Sequence, residues 1–234
     1  MKIFRDPVHG PLPGLLFLLT AVTGVIDAVS LLTLGRVFVA NITGTLVALG
    51  LALAGTPGIV RETALVALLT FVLGAYCGGK LITRFGGHRG RLLVWTTAVE
   101  LVFVLVAIPV TVPLTATLTP ETSVGAVVAA ALLAFGMGIQ NAAVRRLKVP
   151  DITTTVVTMA VTGLAADEHG GGRDTLVRRV VAVLVLLAGA ALGAFVVLRV
   201  GPAWALAIAA LMIVVVLAVA AWTSRVPQEW HTPR

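Results

Sequence analysis

Eight apolar runs occupy most of the chain and decide what it can fold into. They cover residues 13–33, 37–54, 63–82, 92–112, 122–143, 152–166, 180–198 and 203–222. A helix needs about 20 mostly apolar residues to cross a bilayer, and most of the runs approach that length. Only 12% of the 234 residues are charged and 59% are hydrophobic, whereas about 25% are charged in soluble domains. These proportions exclude a water-soluble fold and predict an all-α integral membrane protein.

The residues that bind metals or form disulfides are scarce and badly placed for either purpose. Cys77 is the only cysteine, so the chain cannot form an internal disulfide or a multi-thiolate metal site. The four histidines all lie outside the apolar runs: His9, His88, His169 and His231. We therefore expect no metal and no cofactor.

The excess of basic residues has a simple explanation in a membrane protein. The formal net charge of +7 could suggest nucleic acid, but Lys and Arg concentrate in the loops that stay cytoplasmic. We expect membrane lipids and a small-molecule or ionic substrate as partners, and no nucleic acid. The sequence leaves open whether the chain forms a homo-oligomer.

A short motif recurs near the ends of the first and fifth runs. Gly24-Val25-Ile26-Asp27-Ala28 has its counterpart in Gly138-Ile139-Gln140-Asn141-Ala142, 114 residues later. A basic connection and a Thr-containing segment follow each copy. Because these features recur in the same order, we predict two similar halves, 1–115 and 116–234, within one membrane domain.

These motifs resemble the YoaK family of bacterial membrane proteins, which is defined by a domain of unknown function. The resemblance rests on Gly24-x-x-Asp27-Ala28, on Phe38-x-x-Asn41-x-Thr43-Gly44, and on Gly138-x-Gln140-Asn141-Ala142 with the Thr-rich run that follows. Family members usually carry Thr-Gly-Asn where this chain has Thr43-Gly44-Thr45, and Thr-Gly where it has Thr158-Met159. The resemblance covers essentially the whole chain. It implies a polytopic inner-membrane protein, commonly drawn with six helices, and no established substrate.

The distribution of Lys and Arg tests how many runs cross the membrane. If all eight cross, the two sides receive 8 and 9 of the 17 basic residues, which is no bias. If the second and sixth runs enter and leave on one side, the split is 14 against 3; if only the sixth does so, it is 13 against 4. The sixth run has 15 residues, or about 22 Å of helix against a hydrocarbon core of about 30 Å.

Because paired segments should behave alike, we predict three crossings and one broken or re-entrant helix in each half, with both termini cytoplasmic. Three crossings per half force opposite orientations. The halves are therefore predicted to form an inverted repeat, a plan known from transporters and channels.

Two acidic residues lie inside apolar runs and are the first candidates for chemistry. A charge at membrane depth costs at least about 2.5–3.5 kcal/mol, so Asp27 and Glu100 should face a cavity or a partner. We assign both to proton or cation coupling, and Asp27 also to substrate binding. The alternatives are a helix-end Asp27 that bonds nearby backbone, and a neutral Glu100 hydrogen-bonded between helices.

Polar residues that interrupt apolar runs are the remaining candidates for a substrate-binding site. Amide and hydroxyl groups beside a glycine can re-satisfy an unwound turn and direct backbone groups at a ligand. The alternative is ordinary close packing of helices, which is how we interpret Gly74 and Gly78. The candidates are Asn41, Thr43 and Gly44 in the first half, and Gln140, Asn141, Thr154, Thr155 and Thr158 in the second.

The function predicted from these features is a small-solute transporter or channel with a central site between the halves. The spans contain separated acids and no histidine, which argues against an enzyme. A scaffold or lipid-binding protein, with basic loops that contact anionic headgroups, is the second alternative.

Overall fold

The computed structural model describes residues 9–114, 123–147, 173–225 and 230, with the backbone alone for 173–175. This part of the chain forms helices and contains no β-strand. Within these described ranges six helices are long and apolar enough to cross a membrane, and a shorter apolar helix accompanies them. The predicted all-α membrane class is confirmed. The helices are α1 (Leu12–Thr33), α2 (Ile42–Leu53), α3 (Arg61–Phe85), α4 (Arg89–Thr111), α5 (Val124–Leu147), α6 (Arg173–Arg199) and α7 (Pro202–Thr223).

Several helices extend beyond the apolar runs that predicted them. Helices α3, α4 and α6 begin at arginines, before the apolar runs that start at 63, 92 and 180. Arginine has a high helix propensity, so each of these helices can begin before the apolar residues that would contact lipid. The run 37–54 differs, because only Ile42–Leu53 of it is helical. The run 152–166 lies outside the described residues.

Contacts between helix ends define the two ends of the bundle. We call one of them the Gly35 end. There the Val60 amide donates a hydrogen bond to the Gly35 carbonyl at 3.1 Å, which joins the end of α1 to the start of α3. At the other, the Trp230 end, the indole of Trp230 lies against Gly10 and Gly90. Helices α1, α4 and α6 run towards the Gly35 end, and α3, α5 and α7 run away from it.

The segment between α1 and α3 enters the bundle and returns to the same end. Residues 37–41 lead inward without helical structure, and α2 leads back. The amides of Val39 and Ala40 reach Asp27, six residues before the end of α1, or about 9 Å along the helix. Helix α2 has 12 residues, about 18 Å, and is too short to span. The first half therefore contains the broken or re-entrant helix that the charge distribution and the repeat predicted.

Two parallel helix pairs form the sides of the bundle: α1 packs along α6, and α3 packs along α5. Glycines bring the backbones of each pair into contact. A Cβ on Gly24 would meet Leu186 O and Ala190 N of α6, and one on Gly138 would meet Phe71 O and Ala75 N of α3. Gly189 faces Ala21 in the first pair, as Gly74 faces Phe135 in the second. Each contact in one pair thus has an equivalent 114 or 115 residues away in the other.

Helices α4 and α7 pack antiparallel to each other; α4 also packs against α3 and α5, and α7 against α1 and α6. The interior they close is apolar and dense. Its largest fully buried side chains include Leu16, Leu19, Ile26, Leu133 and Met137. This packing fixes α1 firmly and so positions Asp27 and the re-entrant segment.

Candidate functional site

Asp27 connects α1 to the re-entrant segment. Its Oδ1 accepts hydrogen bonds from the Val39 amide at 3.1 Å and the Ala40 amide at 3.0 Å. Sequence analysis offered such backbone bonding as the alternative role of this residue, and the structure contains it. Both bonds use the same oxygen, however. Among the described residues Oδ2 accepts no hydrogen bond, and the carboxylate has no ion-pair partner.

Asp27 also lines a cavity of about 340 Å³ between α1, the re-entrant segment and α6. Ligand sites in proteins begin at about 300 Å³, so a small solute fits. The Thr23 hydroxyl donates to Leu19 O at 3.0 Å, so towards a ligand it can act only as an acceptor. Asp27 and Asn41 are the other polar side chains in the described walls. The described walls are Thr23, Gly24, Asp27, Ala28, Leu31, Leu32, Phe38, Asn41, Leu186, Ala190 and Ala194.

Asn41 lies at the point where the backbone turns back into α2. Its side chain makes no capping hydrogen bond to the helix, although Asn is a favoured capping residue. The cavity therefore combines the Asp27 carboxylate with an amide side chain that has no hydrogen-bond partner among the described residues, within mostly apolar walls.

The re-entrant turn is held by residues that flank the candidate site. The Thr45 hydroxyl donates to Phe38 O and, at 3.3 Å, to Asn41 O. Gly44 lies under the Phe38 ring, where an added Cβ would come within 2.5 Å of the ring. Thr43 is exposed. Of the three candidates in the first half, Asn41 lines the cavity, whereas Thr43 and Gly44 lie outside its described walls.

The structure describes two of the five candidate residues in the second half. Asn141 donates from Nδ2 to Met137 O, one turn earlier, at 2.9 Å. Gln140 is buried and lies outside the described cavity walls. Thr154, Thr155 and Thr158 lie outside the described residues. The shared site between the halves therefore stays a prediction.

Glu100 lies apart from the Asp27 cavity. It is fully buried on α4, where its Cα and Cγ face Gly136 of α5. The two acids, grouped in sequence analysis as coupling residues, thus occupy different helix interfaces. In the part of the chain that the structure describes, no group of three or more His, Cys, Asp or Glu residues could hold a metal ion.

Sequence reasoning missed the wall that α6 contributes. Leu186, Ala190 and Ala194 are apolar residues in an apolar run, and nothing in their chemistry marks a site. A signal was present in the spacing of Gly189 and Gly193, which repeats that of Gly74 and Gly78 after 115 residues. That repeat pairs α6 with α1, as α3 pairs with α5.

The match to a known family covers the cavity and all or most of each described helix. Residues 15–219 match the family described as "Protein of unknown function (DUF1275)". The chain belongs to the DUF1275 family. Similarity to the "UPF0700 transmembrane protein YoaK" of Bacillus subtilis (strain 168) amounts to 31% identity over 156 residues, 67% of each chain. The resemblance seen in the motifs is thus confirmed. The DUF1275 description assigns no activity.

Proposed function

We propose that this DUF1275 protein is a small-solute transporter or channel whose solute binds in the Asp27 cavity. One observation carries the proposal. Asp27, which lies within a membrane span, lines a cavity; one oxygen of its carboxylate is held by re-entrant backbone, and the other accepts no hydrogen bond among the described residues. Non-helical backbone at membrane depth is tolerated where it is buried in protein or lines a cavity. Broken helices of this kind form the binding sites of many transporters.

A purely structural role does not require a carboxylate. The amide oxygen of an Asn at position 27 could accept the same two backbone bonds, and Asn141 occupies the equivalent position in the second half. A charge at this depth costs at least about 2.5–3.5 kcal/mol. Because an ionisable group is costly here and an amide could make the same backbone bonds, the carboxylate supports a role in binding a proton or a solute that donates hydrogen bonds.

The chemistry of the walls indicates the class of solute. Oδ2 of Asp27 and the Asn41 amide can receive a cationic or hydrogen-bond-donating head. Leu31, Phe38 and Leu186 can receive an apolar body. The solute we propose is a small amphiphile with a cationic or donor-rich head, bound without catalysis.

The two halves form, in this proposal, an inverted repeat with the solute path between them. Supporting it, α1 runs towards the Gly35 end and α5 runs away from it, and their glycine contacts with α6 and α3 are equivalent. The second-half counterparts of the Asp27 site would then be Gln140, Asn141 and the Thr154–Thr158 segment.

We place the Trp230 end in the cytoplasm and the protein in the bacterial inner membrane. Of the 13 Lys and Arg residues in the described ranges, ten lie towards the Trp230 end. Arg36, Arg61 and Arg199 lie at the Gly35 end. The positive-inside rule favours the cytoplasm for the more basic side.

Solute uptake into proteoliposomes tests the proposal. Phenylguanidinium is a suitable probe because it has a cationic head with several donors and an apolar ring. Benzenesulfonate is its anionic counterpart of similar size. We expect uptake of phenylguanidinium above that of protein-free vesicles and no excess uptake of benzenesulfonate.

A matched pair of variants on α6 tests whether the cavity is the path. Ala190→Phe would fill the cavity, whereas Ala191→Phe places the same ring on an exposed position. Uptake should be lost in the first and kept in the second. Equal uptake in both variants, or no uptake of phenylguanidinium by the unmodified protein, would contradict the proposal.

A further inference from the structure

A second polar site lies between α4 and α5, away from the Asp27 cavity. Glu100 is 0% exposed and Gln140 is 2% exposed. The helices are antiparallel, and Gly136, one turn before Gln140, brings α5 against Glu100: an added Cβ would lie 3.7 Å from its Cα and Cγ. The two side chains therefore belong to one helix interface.

All four polar atoms of these two side chains are buried and make no hydrogen bond to the described residues. They are Oε1 and Oε2 of Glu100, and Oε1 and Nε2 of Gln140. An unsatisfied buried polar group costs about 1–3 kcal/mol, and a charged one costs more. Two such side chains at one interface indicate a group that binds between them.

No cation compensates Glu100 from the described helices packed against α4. These are α3, α5 and α7. Helix α7 carries no ionisable side chain, and α5 carries none before Arg145. The ionisable groups at mid-height on α3 are Tyr76, which is 61% exposed, and Cys77, which is half-buried. On α4 itself Arg91 is nine residues away, about 14 Å along the helix. A carboxylate here would be an uncompensated charge.

We propose that Glu100 and Gln140 form a buried proton-binding site. The Glu100 carboxylate takes up one proton and becomes a neutral carboxylic acid, with no other bond made or broken. The acid then donates to Oε1 of Gln140 and accepts from Nε2, directly or through one water. This site is separate from the Asp27 cavity, because it lies between other helices, and the protonation of Glu100 needs no solute.

Infrared spectroscopy of the full-length protein in lipid nanodiscs tests the proposal directly. The difference spectrum of wild type minus Glu100→Gln at pH 7 should contain the C=O stretch of a protonated carboxylic acid, and the band should shift in D2O. The control is Glu62→Gln, which removes an exposed carboxylate on α3 and should remove carboxylate bands instead. Loss of carboxylate bands in Glu100→Gln would overturn the proposal.

Gln140→Leu tests the second half of the site. Without the amide donor, the C=O stretch of the acid should move to higher frequency. An unchanged band would show that Gln140 is not the partner.

Dicyclohexylcarbodiimide gives a measurement on wild-type protein, should Glu100→Gln fail to fold. The acid adds across its C=N bond, with the proton going to nitrogen, and the O-acylisourea rearranges to a stable N-acylurea. We expect mass spectrometry to locate the adduct on Glu100. The proposal would be overturned if Glu100 stayed unmodified and the infrared spectrum of the wild-type protein contained no band of a protonated carboxylic acid.

Discussion

Replacing Gly24 by alanine tests the close contact that builds one wall of the cavity. The new Cβ would lie 2.5 Å from Leu186 O and 2.7 Å from Ala190 N. Since ordinary contact begins near 3.4 Å, α1 and α6 must separate by about 0.9 Å. Both obstructing atoms belong to backbone, so no side chain can rotate out of the way.

The cost can be estimated from two opposing effects. Overpacking of this kind costs about 1–3 kcal/mol, whereas replacing glycine by alanine inside a helix gains about 1 kcal/mol. Because the obstruction is backbone, we expect a net loss of about 1–2 kcal/mol. In a chain of this size that lowers the unfolding temperature by roughly 2–8 °C. Thermal unfolding in detergent, followed by tryptophan fluorescence, measures the change.

Gly79→Ala is the matched control. It makes the same substitution inside α3, where an added Cβ meets no atom within 4 Å. This variant should be as stable as wild type or more stable. If Gly24→Ala unfolds at the same temperature as Gly79→Ala or above it, the backbone contact between α1 and α6 is refuted.

Three further results are expected. Asp27→Ala should be about 1–3 kcal/mol less stable than Asp27→Asn in the same unfolding assay, because only the alanine leaves two backbone amides without their acceptor. Thr45→Val should lose about 1 kcal/mol with its bonds to the re-entrant turn, and equal stability would contradict that role. In a Cys77→Ser background, a cysteine at exposed Thr56 should react with an impermeant thiol reagent outside intact cells. A cysteine at Gly87 should react only after permeabilisation, and the reverse pattern would contradict the proposed orientation.

The helix count and the re-entrant segment could be predicted because they depend on composition and length. The positions of Lys and Arg, together with the internal repeat, favoured a second run that enters and leaves on one side, although its length alone would still have allowed a crossing. Asp27 and Asn41 could be identified because polar groups in apolar runs are costly. Their meeting at one cavity follows from the turn at 37–41, which a polar interruption also signals.

The other features of the site depend on which helix surfaces pack together. A run of apolar residues does not show which neighbouring helix it will contact. Glu100 and Asp27 looked alike in sequence, yet they lie at different interfaces because α4 packs against α5 while α1 packs against α6. Thr45 escaped notice because a hydroxyl near a helix start has many partners available. The role of Gly44 becomes visible only once the Phe38 ring lies against it.

Phenylguanidinium flux in proteoliposomes containing Asp27→Asn tests most directly whether the Asp27 carboxylate carries the solute. Wild type and Glu62→Gln, which removes an exposed carboxylate, are measured beside it, and the unfolding temperature is recorded for all three. We predict that Asp27→Asn loses uptake while it keeps an unfolding temperature close to that of wild type, since its amide oxygen retains both backbone bonds. Normal uptake by a folded Asp27→Asn protein would contradict a solute path that depends on this carboxylate.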